Sequence, residues 1–284
     1  MLPSIPWPMA PTGTTPTLTV ITPVRNMAGY IGDTLDSVAA LRTDHEHLVF
    51  DAASDDGTQD ILASRDDPSL MWTSEPDRGQ THAVNKGLRA AKGQVIGWLN
   101  GDDAYNSDAV DRGIDHLLSS PQTGAIYGGY ELVNADGSHM RTHIPATWSW
   151  KRYLYFNYNF PTPTFIFRRE LLEQAPSLDE EFHDAADYDF FLRLFQNQRI
   201  DRRTEALVHF RYHESSKSTV NVWTQLDEAL AIRLRWARTP LDRMIMSGSE
   251  SARRAILPRI SNWPHPQPSP LVKGMQGISK LRHR

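Results

Sequence analysis

The sequence contains no cysteine among its 284 residues. A disulfide framework and a thiolate metal site are therefore both excluded. Cysteine-free chains suit a reducing compartment, so we expect a cytoplasmic protein. No apolar run approaches the roughly 20 residues that a membrane-spanning helix requires. The first residues also lack the basic and then apolar pattern of a secretory signal peptide.

Two glycine-rich phosphate-binding motifs are missing as well. The first predicted strand is followed by no Gly-x-Gly-x-x-Gly, and the chain has no Gly-x-x-x-x-Gly-Lys-Ser/Thr. In dinucleotide-binding and P-loop proteins, these glycines allow the backbone to approach the phosphates. A dinucleotide oxidoreductase or a P-loop nucleotide site would therefore lack the residues on which its phosphate contacts depend.

Acidic residues outnumber basic ones, but the two kinds are distributed unevenly. The formal net charge is −4, yet residues 233–284 hold eleven Lys and Arg and only two acids, Asp242 and Glu250. The acidic body argues against nucleic acid as a partner. The basic end is interpreted either as a solvated, partly disordered tail or as a peripheral contact with an anionic membrane.

The chain divides into three parts by composition. Residues 1–17 are rich in Pro and Thr and predict a disordered leader. Residues 18–238 predict one folded domain, and residues 239–284 a basic, proline-rich tail. Four short apolar runs in the domain predict strands: Leu18–Thr22, His47–Phe50, Leu70–Ser74 and Val95–Leu99. Helical patterns alternate with these runs, which predicts an α/β fold with a mostly parallel central sheet flanked by helices.

The stretch after the fourth predicted strand carries the first chemical signal. Val95–Leu99 ends directly in Asn100-Gly101-Asp102-Asp103. Carboxylates at the carboxyl end of a buried strand lie where open α/β sheets bind ligands. Two adjacent Asp residues repel each other unless a cation or solvent compensates, and Mg²⁺ binds one or two carboxylates together with substrate phosphates. An ordinary polar turn is the alternative interpretation.

Four segments, in matching order and spacing, resemble family 2 glycosyltransferases with the GT-A fold. They are Thr22-Pro23-Val24-Arg25-Asn26, Asp51–Thr58 (Asp-Ala-Ala-Ser-Asp-Asp-Gly-Thr), Glu75–Gln80 (Glu-Pro-Asp-Arg-Gly-Gln) and Gly97–Asp103 (Gly-Trp-Leu-Asn-Gly-Asp-Asp). The resemblance extends over about residues 17–218. It implies a GT-A fold in which a Rossmann-like half binds the nucleotide and a second half binds the acceptor.

The resemblance also implies roles for the matching residues. Eight of them would bind the nucleotide-sugar donor: Thr22, Pro23, Val24, Asp51, Arg78, Lys86, Asn100 and Asp102. Arg78 and Lys86 would approach the diphosphate. Asn100 stands where the family has the first Asp of an Asp-x-Asp motif, and its amide can bind a ribose hydroxyl but has no charge for a metal. Asp102 would then hold the divalent cation, Mg²⁺ or Mn²⁺, with Asp103 behind it.

Two residues of the second half complete the predicted site. Asp187 matches the Asp of the family's Glu-Asp pair, the base that deprotonates the acceptor, although Ala186 departs from that pair. Asp187 also lies near a predicted helix start, where a carboxylate can serve only as a cap, and Asp189 is the next candidate for the base. His213 would complete the metal site or contact the diphosphate, unless its role is structural.

An aromatic-rich segment precedes these residues. Trp148–Phe160 contains seven aromatic side chains among thirteen residues. Aromatic side chains mostly bury their area in a core, which is one interpretation of this segment. A platform for the sugar or the acceptor is the other.

The predicted function is that of an inverting glycosyltransferase. A sugar would move, with metal assistance, from a nucleotide-diphosphate sugar to a hydroxyl of a glycan or lipid-linked acceptor, and the resemblance suggests bacterial surface polysaccharide assembly. A catalytically silent nucleotide-sugar-binding protein is an alternative that Asn100 and Ala186 favour. A sugar nucleotidyltransferase is a second alternative, but it needs a Gly- and basic-rich loop after the first strand, which Thr22–Asn26 is not.

Overall fold

The computed structural model describes residues 15–156, 161–214 and 216–260. Its strands are β1 (Leu18–Val24), β2 (His45–Asp51), β3 (Leu70–Ser74), β4 (Val95–Trp98), β5 (Ala104–Tyr105), β6 (Ala125–Val133), β7 (His139–His143), β8 (Phe165–Arg168) and β9 (Ile200–Arg211). Its helices are α1 (Ile31–Ala39), α2 (Thr58–Ala63), α3 (Gln80–Ala90), α4 (Ser107–Ser119), α5 (Trp150–Phe156), α6 (Ala186–Leu194), α7 (Lys217–Val220), α8 (Val222–Trp236) and α9 (Pro240–Ile260). None of the helices in these ranges combines the length and the hydropathy of a membrane span.

One sheet runs through the described part of the chain. Its strand order is β3-β2-β1-β4-β8-β6-β9-β5, and β7 pairs with β6. The first four strands are mutually parallel, as the alternation of strands and helices predicts. Beyond them, β8 runs antiparallel to both β4 and β6, while β9 is parallel to β6. The parallel half is thus joined through β8 to a second half of mixed direction.

The register of the parallel strands determines where the predicted site lies. Val24 pairs with Asp51, and Asp51 pairs with Ser74, so β1, β2 and β3 end side by side. The backbone N–H of Leu99 donates to Ile21 O at 3.0 Å, which keeps the end of β4 at the same edge. The polar segments that follow these strands therefore meet at one edge of the sheet.

The first part of the aromatic-rich segment packs in the core. The Trp148 ring lies 5.0 Å from that of Tyr153 and 5.8 Å from that of Phe165, between ring centroids. Tyr153 is 4 % exposed, whereas Phe156 at the end of α5 is 54 % exposed. Residues 157–160 lie outside the described residues. Core packing therefore accounts for Trp148 and Tyr153, but not for Phe156.

Part of the segment assigned to the tail forms a packed helix. In α9, Met246 and Glu250 are buried. The Glu250 carboxylate pairs at 2.5 Å with Arg233 of α8, which also donates to Tyr155 O at 3.3 Å. The predicted boundary at residue 239 therefore falls between two helices that pack against each other. The domain limits stay a prediction, and the leader through residue 14 and residues 261–284 lie outside the described ranges.

The buried Arg233–Glu250 pair provides a test of this packing. We expect Glu250→Ala to lower the free energy of unfolding by roughly 3–5 kcal/mol, because it leaves a buried guanidinium without its counter-charge. Glu181→Gln is the control, since it breaks only the exposed pair with Arg235 and should change stability by about 1 kcal/mol or less. Urea denaturation followed by circular dichroism measures both. Equal small effects would show that α9 contributes little to the domain.

Candidate active site

Asp51 ends β2, and its side chain accepts three hydrogen bonds at the edge of the sheet. Its side chain is buried, with the residue 1 % exposed. Oδ2 accepts from the backbone N–H of Ser54 at 3.0 Å and from Ser74 Oγ at 2.6 Å, while Oδ1 accepts from Ser54 Oγ. These donors hold the carboxylate in one orientation at the point where β2 and β3 end.

The side chains of the residues that end β1 are buried, although these residues are predicted to bind the donor. Thr22 is fully buried, and its Oγ1 lies 2.9 Å from His47 Nε2 inside the sheet. Burial lowers the pKa of His47 to about 3, so this histidine is neutral at pH 7. Pro23 is buried too, and Val24 packs in a core cluster with Ile31. A nucleotide at this edge would therefore contact the backbone of this segment before its side chains.

The loop after β4 brings the two predicted metal ligands together. Its Gly101 packs so closely on β1 that a Cβ there would lie 2.8 Å from Val24 Cγ2. Asp102 Oδ2 is 3.1 Å from His213 Nε2. The His213 side chain is 4 % exposed and its ring lies 4.8 Å from that of Tyr30, whereas the Asp102 side chain is 17 % exposed. The carboxylate thus remains accessible while the imidazole is held by its surroundings.

The pair of Asp102 and His213 fits a divalent cation. One carboxylate oxygen and one imidazole nitrogen converge there, and Mn²⁺ accepts both kinds of ligand. Among the residues that the structure describes, no group of three or more metal-ligating side chains occurs. Magnesium-type sites commonly use one or two carboxylates and take their other ligands from water and substrate phosphates. The remaining ligands here would have to come from the donor and solvent.

Asn100 is an integral part of the hydrogen-bond network at this edge. Its Oδ1 accepts from Gln80 Nε2 at 2.9 Å and from Trp98 Nε1 at 3.0 Å. Its Nδ2 donates to Asp103 Oδ2 at 3.2 Å. Burial, and then the charge of Asp102, raise the pKa of Asp103 well above its ordinary value. The neutral amide that replaces the family's first Asp therefore satisfies a buried carboxyl group.

This network makes a prediction for Asn100→Asp. A carboxylate at position 100 would lie about 3.2 Å from that of Asp103 and repel it. We expect a loss of roughly 1–3 kcal/mol of stability near neutral pH, where an amide donor has been removed from a buried acceptor. The loss should shrink as pH falls, because protonation of either carboxyl relieves the repulsion and restores a donor.

Asn106→Asp is the matched control for this substitution. Asn106 caps α4, its side chain accepting from the Ala109 N–H at 3.4 Å, and Asp caps about as well as Asn. Thermal melting of both variants across pH, with and without Mn²⁺, measures the difference. Tighter Mn²⁺ binding by Asn100→Asp without any loss of stability would contradict this account of the network.

The two cations predicted for the diphosphate each have a carboxylate partner. Arg78 Nη2 lies 2.8 Å from Glu180 Oε2, and Lys86 Nζ lies 2.9 Å from Glu75 Oε1. The Arg78 side chain is 65 % exposed and that of Lys86 only 16 %. Arg78 can therefore reach a ligand by a side-chain rotation at the surface. Lys86 would have to exchange its partner within a half-buried setting.

Asp187 lies in the first turn of α6, and its side chain contacts Thr162, which shortly precedes β8. Its Oδ2 accepts from Thr162 Oγ1 at 2.5 Å, and its Oδ1 accepts from the Tyr188 N–H at 2.8 Å. Burial raises the pKa of Asp187, which strengthens it as a base. Asp189 instead pairs with Arg193 at 2.8 Å, so the next candidate for the base is already engaged.

Three residues at this site have no assigned role in the sequence interpretation. Gln80 is the last residue of the Glu75–Gln80 motif, and its side chain donates to Asn100. Its place in that motif is the sequence feature that could have indicated a role at the site. Thr162 stands in a Pro-Thr-Pro-Thr run and gives only a turn signal. Glu228 lies in an ordinary amphipathic helix, yet it contacts the turn before α6. No local pattern could have shown that contact.

These features define a class of protein. Parallel strands end in acidic loops, an Asp–His pair lies at their edge, and a carboxylate of raised pKa stands on a helix of the second half. Such an arrangement suits the binding of a nucleotide and a group attached to it. The sequence model described as Glycosyl transferase family 2 matches residues 19–175. The chain belongs to this family, which confirms the prediction made from its motifs.

Curated relatives give the same result. An uncharacterised glycosyltransferase of Mycobacterium tuberculosis is 30 % identical over 183 residues, which cover 63 % of this chain and 68 % of the relative. TuaG of Bacillus subtilis, named for teichuronic acid biosynthesis, is 31 % identical over 135 residues, covering 46 % and 53 %. A Rickettsia bellii glycosyltransferase is 26 % identical over 218 residues, 72 % of this chain but only 31 % of that protein. The match thus spans about a third of that longer relative.

Solved structures confirm the fold class. Staphylococcus aureus TarS 1–349 in complex with UDP-GlcNAc is 18 % identical, with a TM-score of 0.62 over 85 % of this chain and 73 % of TarS. The mannosyltransferase PcManGT of Pyrobaculum calidifontis, in complex with GDP-Man and Mn²⁺, is 19 % identical, with a TM-score of 0.60 over 98 % and 84 %. At these identities the likeness concerns the fold, which is the predicted GT-A α/β fold.

Proposed function

We propose that this family 2 chain is an inverting, metal-assisted glycosyltransferase that uses a nucleotide-diphosphate sugar. The observation that carries the proposal is the pair of Asp102 and His213, 3.1 Å apart at the carboxyl edge of the parallel strands. Asp187 stands on α6, and the turn before α6 is linked to the same edge. Lys217 donates to His183 O and lies 3.4 Å from Gln80, which donates to Asn100.

The mechanism assigns a separate task to each group. Asp102 and His213 would hold the divalent cation, whose chemistry when bound is to neutralise charge on the leaving diphosphate. Arg78 and Lys86 would add positive charge at the same leaving group. Asp187 would take the proton of the acceptor hydroxyl as its oxygen attacks the anomeric carbon from the face opposite the diphosphate. A single displacement inverts the carbon and needs only one catalytic carboxylate.

The relatives support the choice of substrates. The TarS structure contains UDP-GlcNAc, and the PcManGT structure contains GDP-Man and Mn²⁺. We therefore propose a nucleotide sugar as the donor substrate and a divalent cation as the cofactor. TuaG is named for teichuronic acid biosynthesis, which supports a glycan or lipid-linked glycan as the acceptor, in polysaccharide assembly. The cytoplasmic location stays a prediction from the cysteine-free sequence.

A donor panel tests the proposed function. UDP-GlcNAc and GDP-mannose, each with Mn²⁺, are incubated with the protein, and release of UDP or GDP is measured alongside calorimetric binding. Water can replace the acceptor in a slow hydrolysis, so release is expected even before the acceptor is known. The departures at Asn100 and Ala186 favour a second candidate, a silent nucleotide-sugar-binding protein. Binding without any release, with water or with glycan acceptors, would decide for that candidate.

We also propose that the basic end of the chain contacts an anionic membrane that carries a lipid-linked acceptor. A Lys or Arg near such a surface contributes about 1 kcal/mol. Because α9 packs into the domain, truncation after Ile260 is the informative change, and it removes four of the eleven basic residues. We expect weaker sedimentation with anionic liposomes at low salt and unchanged donor hydrolysis. Equal sedimentation of both proteins with anionic and neutral liposomes would refute the proposal.

A further inference from the structure

The start of α6 has no capping side chain of its own. The N-cap position is Ala185, and no side chain there accepts a hydrogen bond. The first N–H groups of a helix have no partner within it, and a Ser, Thr, Asp or Asn at the N-cap normally supplies one. Ala185 and Ala186 cannot. Asp187 lies in this first turn, so its position depends on other contacts of the turn.

Glu228 of α8 supplies an acceptor for the N-cap N–H of Ala185 and for the two backbone N–H groups that precede it. Its Oε2 accepts from the backbone N–H groups of Asp184 and Ala185, both at 2.8 Å. The N–H of His183 lies 3.1 Å from each carboxylate oxygen. Three successive backbone donors thus converge on one carboxylate from more than forty residues away in the chain. Hydrogen bonds to an ionised acceptor are about twice as strong as neutral ones.

The helix that carries Glu228 is itself fixed. α8 buries three apolar side chains in the core: Leu226, Ala229 and Ile232. Arg233, which follows Ile232 directly, forms the buried pair with Glu250. Glu228 therefore projects from a rigid element, and the turn before α6 is held relative to the core of the protein rather than to a loop.

The same turn is also connected to the donor edge. Asn221 Nδ2 donates to Asp184 Oδ1 at 3.1 Å, which adds a second contact from the start of α8. Lys217 donates to His183 O and lies 3.4 Å from Gln80 Oε1. Displacement of the turn would consequently move Asp187 relative to the edge at which the donor would bind.

We infer that Glu228 is a positioning residue for the reaction: it holds residues 183–185 so that Asp187 faces the acceptor hydroxyl. The inference rests on the proposed function, in which Asp187 is the base. A displacement of about 1 Å at a reacting group can cost about 100-fold in rate. Loss of Glu228 should then lower kcat through Asp187, while the donor, bound by residues outside this turn, keeps its affinity.

The variants Glu228→Ala and Glu228→Gln test this inference. We expect Glu228→Ala to lower kcat for UDP release from UDP-GlcNAc, or for GDP release from GDP-mannose, by about 10- to 100-fold, with the Kd and KM of that nucleotide sugar changed less than about twofold. Glu228→Gln keeps one acceptor oxygen and should retain part of the rate. Asp227→Asn is the matched control on the same helix, because Asp227 Oδ1 accepts from Arg254 Nη2 at 2.6 Å and does not contact the turn. Its kcat should stay unchanged.

A double variant distinguishes positioning from an independent effect. If Glu228 acts through Asp187, Asp187→Asn combined with Glu228→Ala should turn over no more slowly than Asp187→Asn alone. Fully additive losses, or a wild-type kcat in Glu228→Ala, would overturn the inference, and thermal melting ensures that each variant is folded at the assay temperature. Near-normal turnover by Asp187→Asn alone would instead overturn the assigned base in the proposed function. Slow turnover by Asp187→Asn with normal turnover by Glu228→Ala would overturn only the inference.

Discussion

Asp102→Asn is expected to abolish metal-dependent release of nucleotide diphosphate, lowering turnover by at least about 100-fold. The substitution keeps the shape of the side chain and removes its charge. Asn100 is already neutral, so no other charged residue of the family's Asp-x-Asp position remains to hold a cation. Turnover against Mn²⁺ concentration, with EDTA as the zero-metal reference, is the measurement.

The controls separate loss of the metal from loss of the fold. Asp36→Asn makes the same change on α1, where the exposed carboxylate pairs with Arg65, and it should leave turnover unchanged. His213→Ala removes the second ligand and should raise the Mn²⁺ concentration needed for half-maximal rate. If Asp102→Asn kept wild-type turnover that EDTA still abolished, the cation would be held elsewhere and this assignment would be wrong.

The parallel half of the fold follows from local sequence patterns. Each parallel strand is a short apolar run that ends in a polar segment, and parallel pairing places those ends at one edge. The predicted start of β4 at Val95 and the placement of Asp51 at the end of β2 agree with the structure. Asp102 and His213 also lie together, although 111 positions separate them, because β5 pairs with β9 and brings the loops together.

The rest depends on contacts between distant segments, which have no local signature. Arg78 and Lys86 have the right charge for a diphosphate, but their pairing with Glu180 and Glu75 is a tertiary property. The basic composition of residues 240–260 suggests a tail, yet the buried Arg233–Glu250 ion pair and the buried side chain of Met246 hold them in the domain. Glu228 shows the same limit, since its partners are backbone groups of another helix.

Asp187→Asn is expected to lower transfer by roughly 10²–10⁴-fold, the contribution of a positioned general base. Donor affinity should change little, because Asp187 lies on α6 and its contacts are with Thr162 and its own backbone. Only the unprotonated carboxyl can accept the acceptor proton. The wild-type rate should therefore fall as pH decreases through the pKa of Asp187, which burial raises from its ordinary value.

The effect of Asp187→Asn on stability should differ from the effect expected if Asp187 only capped α6. Burial raises the folded-state pKa of Asp187, so its contribution to stability is full below its unfolded-state pKa and is lost as pH rises through the folded-state pKa. Asn stays neutral at every pH, and it can accept from the Tyr188 N–H through its Oδ1 while its Nδ2 donates to Thr162 Oγ1. The variant should thus be at least as stable as the wild type near neutral pH. A capping role alone would leave turnover intact and change stability by about 1 kcal/mol or less.

Asp189→Asn is the matched control, two residues further along the same helix. It removes the charge that pairs with Arg193 at 2.8 Å, so it should lower the melting temperature while leaving turnover near the wild-type value. If Asp187 is the base, Asp187→Asn should lose turnover and keep its stability, whereas Asp189→Asn should lose stability and keep its turnover. Calorimetric donor binding, thermal melting and turnover are measured on both variants. Near-normal turnover by Asp187→Asn together with collapsed turnover by Asp189→Asn would transfer the role to Asp189. Because Asp189 is buried against Arg193, that result would also require this ion pair to open before each turnover.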